Sequence, residues 1–119
     1  MRKTEIIKSS KELTKVERVA IKNLSSAVRL DMETKDGEHL VISPVYYVIL
    51  KVSSDDKEYE KIIIEDKNGI KYTTGSETFI SRFTDIYDEM EGEDFNIDIF
   101  SAESKKYTGK FYITCDLVA

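Results

Sequence analysis

Apolar and polar residues alternate most clearly after Pro44, in a pattern typical of β-strands. Residues 45–52 are rich in β-branched and aromatic side chains and predict one strand, and residues 59–65 predict a second. Residues 70–74 predict a third strand, which returns beside the second. The turn between them, Asp-Lys-Asn-Gly at 66–69, contains an Asn-Gly pair that favours a type I′ hairpin, because both central residues need positive φ.

One segment has helical rather than strand periodicity. Ser76 is a candidate N-cap, and Gly92 is a candidate stop signal after the helix. The apolar residues between them fall on one helical stripe: Phe79, Ile80, Phe83, Ile86, Tyr87 and Met90. We therefore predict an amphipathic helix between Ser76 and Gly92.

Two further strands are predicted after this helix, over residues 95–100 and 107–117. The resulting order is strand, strand, strand, helix, strand, strand. A small barrel with one helix between its third and fourth strands has the order of the OB-fold. We therefore expect one mainly β domain over residues 1–119, a five-stranded Greek-key OB-fold barrel with an N-terminal extension.

The N-terminal extension has a weaker pattern. Residues 1–9 are interpreted as a loose tail. Residues 10–24 have apolar side chains near helical spacing and Ser10 as a candidate N-cap, which favours a short helix; a strand over residues 19–24 is the competing interpretation. Residues 27–42 are expected to form one or two strands, broken by the turn signal Lys-Asp-Gly at 35–37.

Alternation along each strand separates side chains that face the core from those that face solvent. The expected inward set is Tyr46, Val48, Leu50, Val52, Ile62, Ile64, Ile70, Tyr72, Phe111, Ile113, Cys115 and Leu117. The expected outward set is Tyr47, Lys51, Tyr59, Lys61, Ile63, Lys71, Thr73, Lys110, Tyr112 and Thr114.

The outward set is rich in tyrosine and lysine, and Lys105 and Lys106 add two cations in the loop before the last strand. Aromatic rings stack on bases of any sequence, worth about 1–3 kcal/mol per base, and lysines neutralise phosphates. The predicted nucleic-acid-binding residues are therefore Tyr47, Lys51, Tyr59, Lys61, Lys71, Lys105, Lys106, Lys110 and Tyr112. Exposed tyrosines and lysines also occur on ordinary strands, and a one-residue shift in register would exchange the faces.

The net charge of −5 at first argues against a phosphate-binding partner. The charge is nevertheless polarised along the chain. Residues 85–98 hold seven acidic residues and no basic one, which leaves 16 acidic against 18 basic residues elsewhere. This distribution permits a local basic groove, with the acidic run at the end of the predicted helix as a solvated surface.

Few residues suggest catalysis or metal binding. The chain has one histidine, His39, and one cysteine, Cys115, which falls in an inward row. It contains no Cys-x-x-Cys or His-Glu-x-x-His spacing and no glycine-rich phosphate loop. A single cysteine and the lack of a long apolar run favour a cytoplasmic, non-membrane protein, and we expect neither a cofactor nor an enzyme.

Two segments resemble a known family. The segment KYTTGSETFISRFTDIYDEM (71–90) and the later YTGKFYIT (107–114) are similar to those of small single-stranded DNA-binding proteins of phages that infect Gram-positive bacteria, the lactococcal-phage type in particular. The resemblance implies an OB-fold, sequence-independent binding of single-stranded DNA in the host cytoplasm, and a role in phage replication and recombination beside a recombinase or replication protein. It leaves open dimerisation through an edge strand.

Two other function classes remain open. The acidic helix end or a sheet edge would suit a small phage inhibitor or adaptor that docks a basic protein. Stable higher oligomers without DNA would instead indicate an assembly component.

Overall fold

The computed structural model describes residues 2–23, 27–103, 106 and 109–118. In chain order, the elements in these ranges are β1 (Arg2–Ser9), α1 (Lys15–Lys22), β2 (Val28–Arg29), α2 (Leu30–Glu33), a 3₁₀ helix (Lys35–Gly37), β3 (Leu40–Ile42), β4 (Pro44–Ser54), β5 (Lys57–Asp66), β6 (Lys71–Thr74), α3 (Glu77–Glu89), β7 (Ile97–Glu103) and β8 (Phe111–Leu117). The chain is mainly β, as predicted. None of the helices in the described ranges has the length and apolar character that crossing a bilayer requires.

The strands form two sheets that share one stretch of chain. The first sheet has the order β1-β4-β5-β6-β2, and the second has the order β3-β7-β8. Only Ser43 separates β3 from β4, so residues 40–54 pair with β7 at one end and with β5 at the other. A strand that bends in this way makes a corner between two packed sheets.

The hydrogen bonds of the described residues do not close the two sheets into a barrel. Residues 27–37 make a second connection between the two sheets. Arg29 of β2 pairs in parallel with Thr73 of β6, and the Thr34 carbonyl accepts a hydrogen bond of 3.2 Å from Ser101 Oγ of β7. The predicted turn at 35–37 is present, with positive φ at Asp36 and Gly37.

Both faces of β4 are covered along residues 46–50 of the five-stranded sheet, which the alternation pattern did not anticipate. On one face, Tyr46, Val48, Leu50 and Ile63 pack with Ile21 of α1. On the other face, Tyr47 and Ile49 join the larger core beneath α3. A strand buried on both faces is a continuous apolar run rather than an alternation, and residues 46–50 are such a run.

Several predicted side-chain directions are therefore wrong. Ile63 and Thr73 were expected outside but are 1% and 3% exposed. Ile70, Phe111 and Leu117 were expected inside but are exposed, because they lie at or beyond the ends of their strands. At strand ends the covering layer stops, so alternation no longer decides burial.

The N-terminal residues also differ from expectation. Residues 2–9 are not a loose tail but the edge strand β1, which pairs with β4 from Arg2 to Ser9. The first helix begins at Lys15, with Thr14 rather than Ser10 as N-cap. Thr14 Oγ1 accepts from the Glu17 amide, and the Glu17 carboxylate accepts from the Thr14 amide, which completes a capping box.

The turn between β5 and β6 is tight, as predicted, but it is not type I′. Gly69 has positive φ, whereas Asn68 does not. The buried Asp66 carboxylate explains the geometry, since it accepts hydrogen bonds from the amides of Asn68 (2.9 Å) and Ile70 (3.0 Å). An aspartate at the start of a turn stabilises it in this way.

The central helix agrees with the prediction. Ser76 Oγ caps α3 by accepting from the Phe79 amide, and Gly92 with φ 85° follows its end. Phe79, Phe83 and Ile86 are buried against the sheets. The Cys115 thiol is also buried, as expected, and burial raises its pKa to about 12.

Candidate functional site

The predicted binding residues do not form one continuous surface. Cross-strand pairing places Leu50 opposite Lys61 and Val52 opposite Tyr59. Directly paired residues of an antiparallel sheet share a face. Tyr59 and Lys61 therefore share a face with the inward row of β4, and Lys51 lies on the opposite face.

Tyr47 belongs to the core rather than to the surface. Its side chain is 1% exposed, and its ring lies edge-on against Phe83 and Tyr87, with centroid separations of 5.6 Å and 5.0 Å. The backbone amide of Tyr47 donates a hydrogen bond of 2.9 Å to Ser10 Oγ. Its prediction as a stacking residue is wrong, because α3 covers this face of β4.

Lys51 and Lys71 are half-buried and ion-paired. Lys51 Nζ lies 3.5 Å from Glu58, and Lys71 Nζ lies 3.3 Å from Glu65. A lysine whose charge is already compensated gains less from a phosphate than an uncompensated one. These two residues are weaker phosphate ligands than the sequence suggested.

Two of the predicted residues, Lys61 and Tyr112, meet at one cavity. This cavity of about 940 Å³ opens where β6 and the start of α3 face β8, and residues 29–37 form its remaining wall. Tyr59 lies beside it on the same strand face, with Lys61 Nζ 5.9 Å from the centre of the Tyr59 ring. The volume is within the usual range of ligand pockets.

The mouth of the cavity combines aromatic rings with cations. Phe111 is 67% exposed and Tyr112 is 37% exposed, at the first two positions of β8. The charged side chains in its lining are Arg29, Lys35, Lys61, Asp31 and Asp36.

The lining is basic in an acidic chain. It carries a net charge of +1, whereas the chain carries −5. Arg29 is paired with Asp31 at 2.9 Å, while Lys35 and Lys61 make no ion pair with any described residue. The acidic end of α3 is remote, because Ser76 at its start lines the cavity and a 13-residue helix extends roughly 20 Å.

Hydroxyl groups form the buried floor of the cavity. Thr34 and Thr74 are almost fully buried, and each makes a hydrogen bond: Thr34 Oγ1 donates to the Leu30 carbonyl, and Thr74 Oγ1 accepts from the Ser76 amide. Ser76 Oγ donates to the Ile113 carbonyl across the gap between β6 and β8. The floor is thus neutral and polar, and the charges lie nearer the mouth.

Sequence reasoning missed Phe111, Arg29 and Lys35. Phe111 was assigned to the inward row of its strand, but it pairs with Glu103 at the open end of the second sheet. Arg29 and Lys35 lie in the segment whose structure the sequence left open. The one available signal was the adjacent Phe111-Tyr112 pair, since two neighbouring aromatics on a strand point to both of its faces.

The lysines of the last loop are only partly placed. Lys105 lies outside the described residues. Lys106 and Lys110 are exposed, and Lys110 directly precedes Phe111 at the start of β8. Of these, Lys110 is the one whose position in the chain puts it next to the cavity.

Comparison with known proteins adds no assignment to this geometry. No family model, no curated protein and no solved structure matches the chain.

Proposed function

We propose that this protein binds single-stranded DNA without sequence preference, and that the cavity between β6 and β8 is where the strand engages. The observation that carries the proposal is that one cavity is lined by two exposed aromatic residues, Phe111 and Tyr112, and by two cations, Lys35 and Lys61, that make no ion pair with any described residue. Stacking on rings and neutralisation of phosphates are the two requirements of sequence-tolerant binding.

The fold supports the same proposal if the chain is an OB-type barrel left partly open. On this proposal β4, β5 and β6 correspond to the first three strands of that barrel, α3 to its helix, and β7 and β8 to its last two strands. OB-folds bind oligonucleotides on the face of strands two and three and with the loop between strands four and five. The cavity has this position, because Lys61 comes from β5, Thr73 from β6 and Phe111 from the start of β8.

The similarity of residues 71–90 and 107–114 to phage single-stranded DNA-binding proteins favours the same function. On this proposal the protein covers single strands during phage replication and recombination, beside a recombinase or a replication protein. The polarised charge suits this role. The acidic end of α3 is held away from the strand, while the cavity attracts phosphates.

The test is the affinity of the protein for labelled oligo-dT and for duplex DNA, measured by fluorescence anisotropy at two salt concentrations. We expect binding to the single strand that weakens with salt, and weaker binding to the duplex. Lys61→Ala should reduce the salt dependence by about 0.7 in the logarithmic slope, the contribution of one phosphate.

Lys51→Ala is the matched control, since Lys51 is a half-buried lysine on the opposite face of the same sheet and is paired with Glu58. It should leave both affinity and slope unchanged. Absence of oligo-dT binding at low salt would refute the proposal and would favour the alternative, a module that docks a basic protein on the acidic end of α3. Equal affinity for single and double strands would also contradict it.

A further inference from the structure

One buried polar group in the cavity lining makes no hydrogen bond with any described residue. Thr73, on β6, is 3% exposed, and its Oγ1 has no hydrogen-bond partner among the described residues. Burying a hydroxyl without a partner is costly, and such groups are uncommon in folded proteins. The other buried threonines of the floor, Thr34 and Thr74, are both hydrogen-bonded.

The surroundings of Thr73 explain why its hydroxyl lacks a partner within the fold. In the sheet Thr73 lies between Ile63 of β5 and Arg29 of β2, whose backbones pair with its own. Ile63 offers no polar side-chain atom, and the Arg29 guanidinium is held by Asp31 at 2.9 Å. Two residues further on, Gly75 also lines the cavity, together with Lys61 of β5.

The distribution of neutral and charged groups in the cavity suits the base and the phosphate of a nucleotide. The buried floor carries neutral hydroxyls, whereas Arg29 and Lys35 at the mouth are exposed cations. A phosphate would be placed better at the mouth than on the floor, because the floor has no charge to compensate it. A nucleobase has a neutral polar edge that suits a hydroxyl and flat faces that suit aromatic rings.

We propose that the cavity takes one unstacked nucleobase of the bound single strand, and that the polar edge of this base hydrogen-bonds to Thr73 Oγ1. This inference rests on the proposed function, since it assigns a subsite to the strand proposed above. A hydroxyl rotates and can donate or accept, so that it suits the edge of any base. Thr73 therefore adds affinity without imposing a sequence.

Thr73→Val tests the inference, because valine keeps the shape and the β-branch of threonine and replaces only the hydroxyl with a methyl group. We expect this variant to bind oligo-dT about five- to tenfold more weakly, the effect of losing one neutral hydrogen bond. In the absence of DNA the same variant should melt at an equal or higher temperature, because it removes a buried group that has no hydrogen-bond partner in the described part of the chain.

Thr74→Val is the matched control in the neighbouring position. Its Oγ1 accepts from the Ser76 amide at 3.2 Å, so this variant should lower the melting temperature. A third measurement uses an oligonucleotide of abasic sites, which keeps the phosphates and lacks the bases. Wild type and Thr73→Val should bind this strand equally.

The outcomes separate the subsite from the general function. If wild type binds oligo-dT and Thr73→Val binds it equally well, the base subsite is wrong while single-strand binding stands. A lower melting temperature of Thr73→Val would also overturn the inference, because the hydroxyl would then have a structural partner. Thymidine monophosphate that binds as tightly as the oligonucleotide would show a nucleotide site independent of the strand, which equally contradicts it. Absence of all oligonucleotide binding would refute the proposed function itself.

Discussion

Two pairs of adjacent aromatic residues, Tyr46-Tyr47 and Phe111-Tyr112, differ in their exposure to solvent. Each pair lies on a strand, so its two rings point to opposite faces of a sheet. Both rings of the first pair are buried, since α1 covers one face of β4 and α3 covers the other. Both rings of the second pair are exposed, at the open end of β8.

This difference teaches that burial of an aromatic depends on the layers around its strand rather than on its place in an alternating pattern. Burial also changes chemistry. Removal from water, followed by the nearby Glu65 carboxylate, raises the pKa of the Tyr46 hydroxyl to about 12. The first pair thus stabilises the fold, and the second remains available for a ligand.

The largest expected effect is on stability, from Tyr47→Ala. Removing a fully buried ring that contacts Phe83 and Tyr87 should lower the free energy of unfolding by about 3–5 kcal/mol, as for other large aromatic side chains in cores. Phe111→Ala should change it by less than about 0.5 kcal/mol, because Phe111 is mostly exposed. Urea denaturation measures both. Similar losses in the two variants would show that the two pairs do not differ in the way described.

The next largest effect is on DNA binding, for which the exposed pair Phe111-Tyr112 should matter more than the buried pair Tyr46-Tyr47. Phe111→Ala and Tyr112→Ala should each weaken oligo-dT binding by about 1–3 kcal/mol, if each ring stacks on one base. Anisotropy titrations at low salt provide the measurement, with Val41→Ala as control for loss of an exposed apolar side chain elsewhere. Wild-type affinity in both aromatic variants would place the strand on another surface.

A smaller effect should follow from destabilising α1, the helix that covers the face of β4 on which Tyr46 lies. Thr14 caps α1, and replacing a threonine N-cap with alanine costs about 1 kcal/mol. Thr14→Ala should therefore lower the free energy of unfolding by about that amount, with Lys15→Ala, at the first helical position, close to wild type. An unchanged stability in Thr14→Ala would mean that α1 contributes little to the cover.

The smallest effect is a pH dependence in the same cap. The Lys11 ammonium, together with the Thr14 amide, lowers the pKa of Glu17 from 4.5 to about 2. Because the folded state favours the carboxylate, its contribution is present above about pH 4.5 and is lost as the pH falls towards 2. Urea denaturation across that pH range measures the effect. The stability of Glu17→Gln should not show the decrease that comes from protonation of this carboxylate. An identical pH profile in wild type and variant would contradict it.

Local signals predicted the elements that depend on neighbouring residues. The cap at Ser76, the stripe of α3 and the stop at Gly92 were all readable, because a helix is specified within a few turns of its own sequence. The strands β4 to β8 were also predicted to within a few residues. Residues 2–9 were not, because an edge strand in which six of eight residues are charged or polar becomes a strand only when β4 offers it a partner.

The candidate site was only partly predictable for the same reason. Lys61 and Tyr112 were found, since both belong to an outward row on a strand whose position was predicted. Phe111, Arg29 and Lys35 join them only through contacts between β8, β6 and residues 29–37, which are far apart in the chain. Tyr47 was misplaced because the sequence does not show that α3 and α1 cover opposite faces of one sheet.

By itself the sequence determined a mainly β chain, one amphipathic helix with its caps, and the separation of acidic from basic segments. Those features arise from interactions between residues close in sequence, or from composition alone. Tertiary structure decided which tyrosines are buried, which lysines are paired, and that the hydroxyl of Thr73 has no hydrogen-bond partner within the described ranges. These properties depend on register and on layer packing, in which a single residue of displacement exchanges the two faces of a strand.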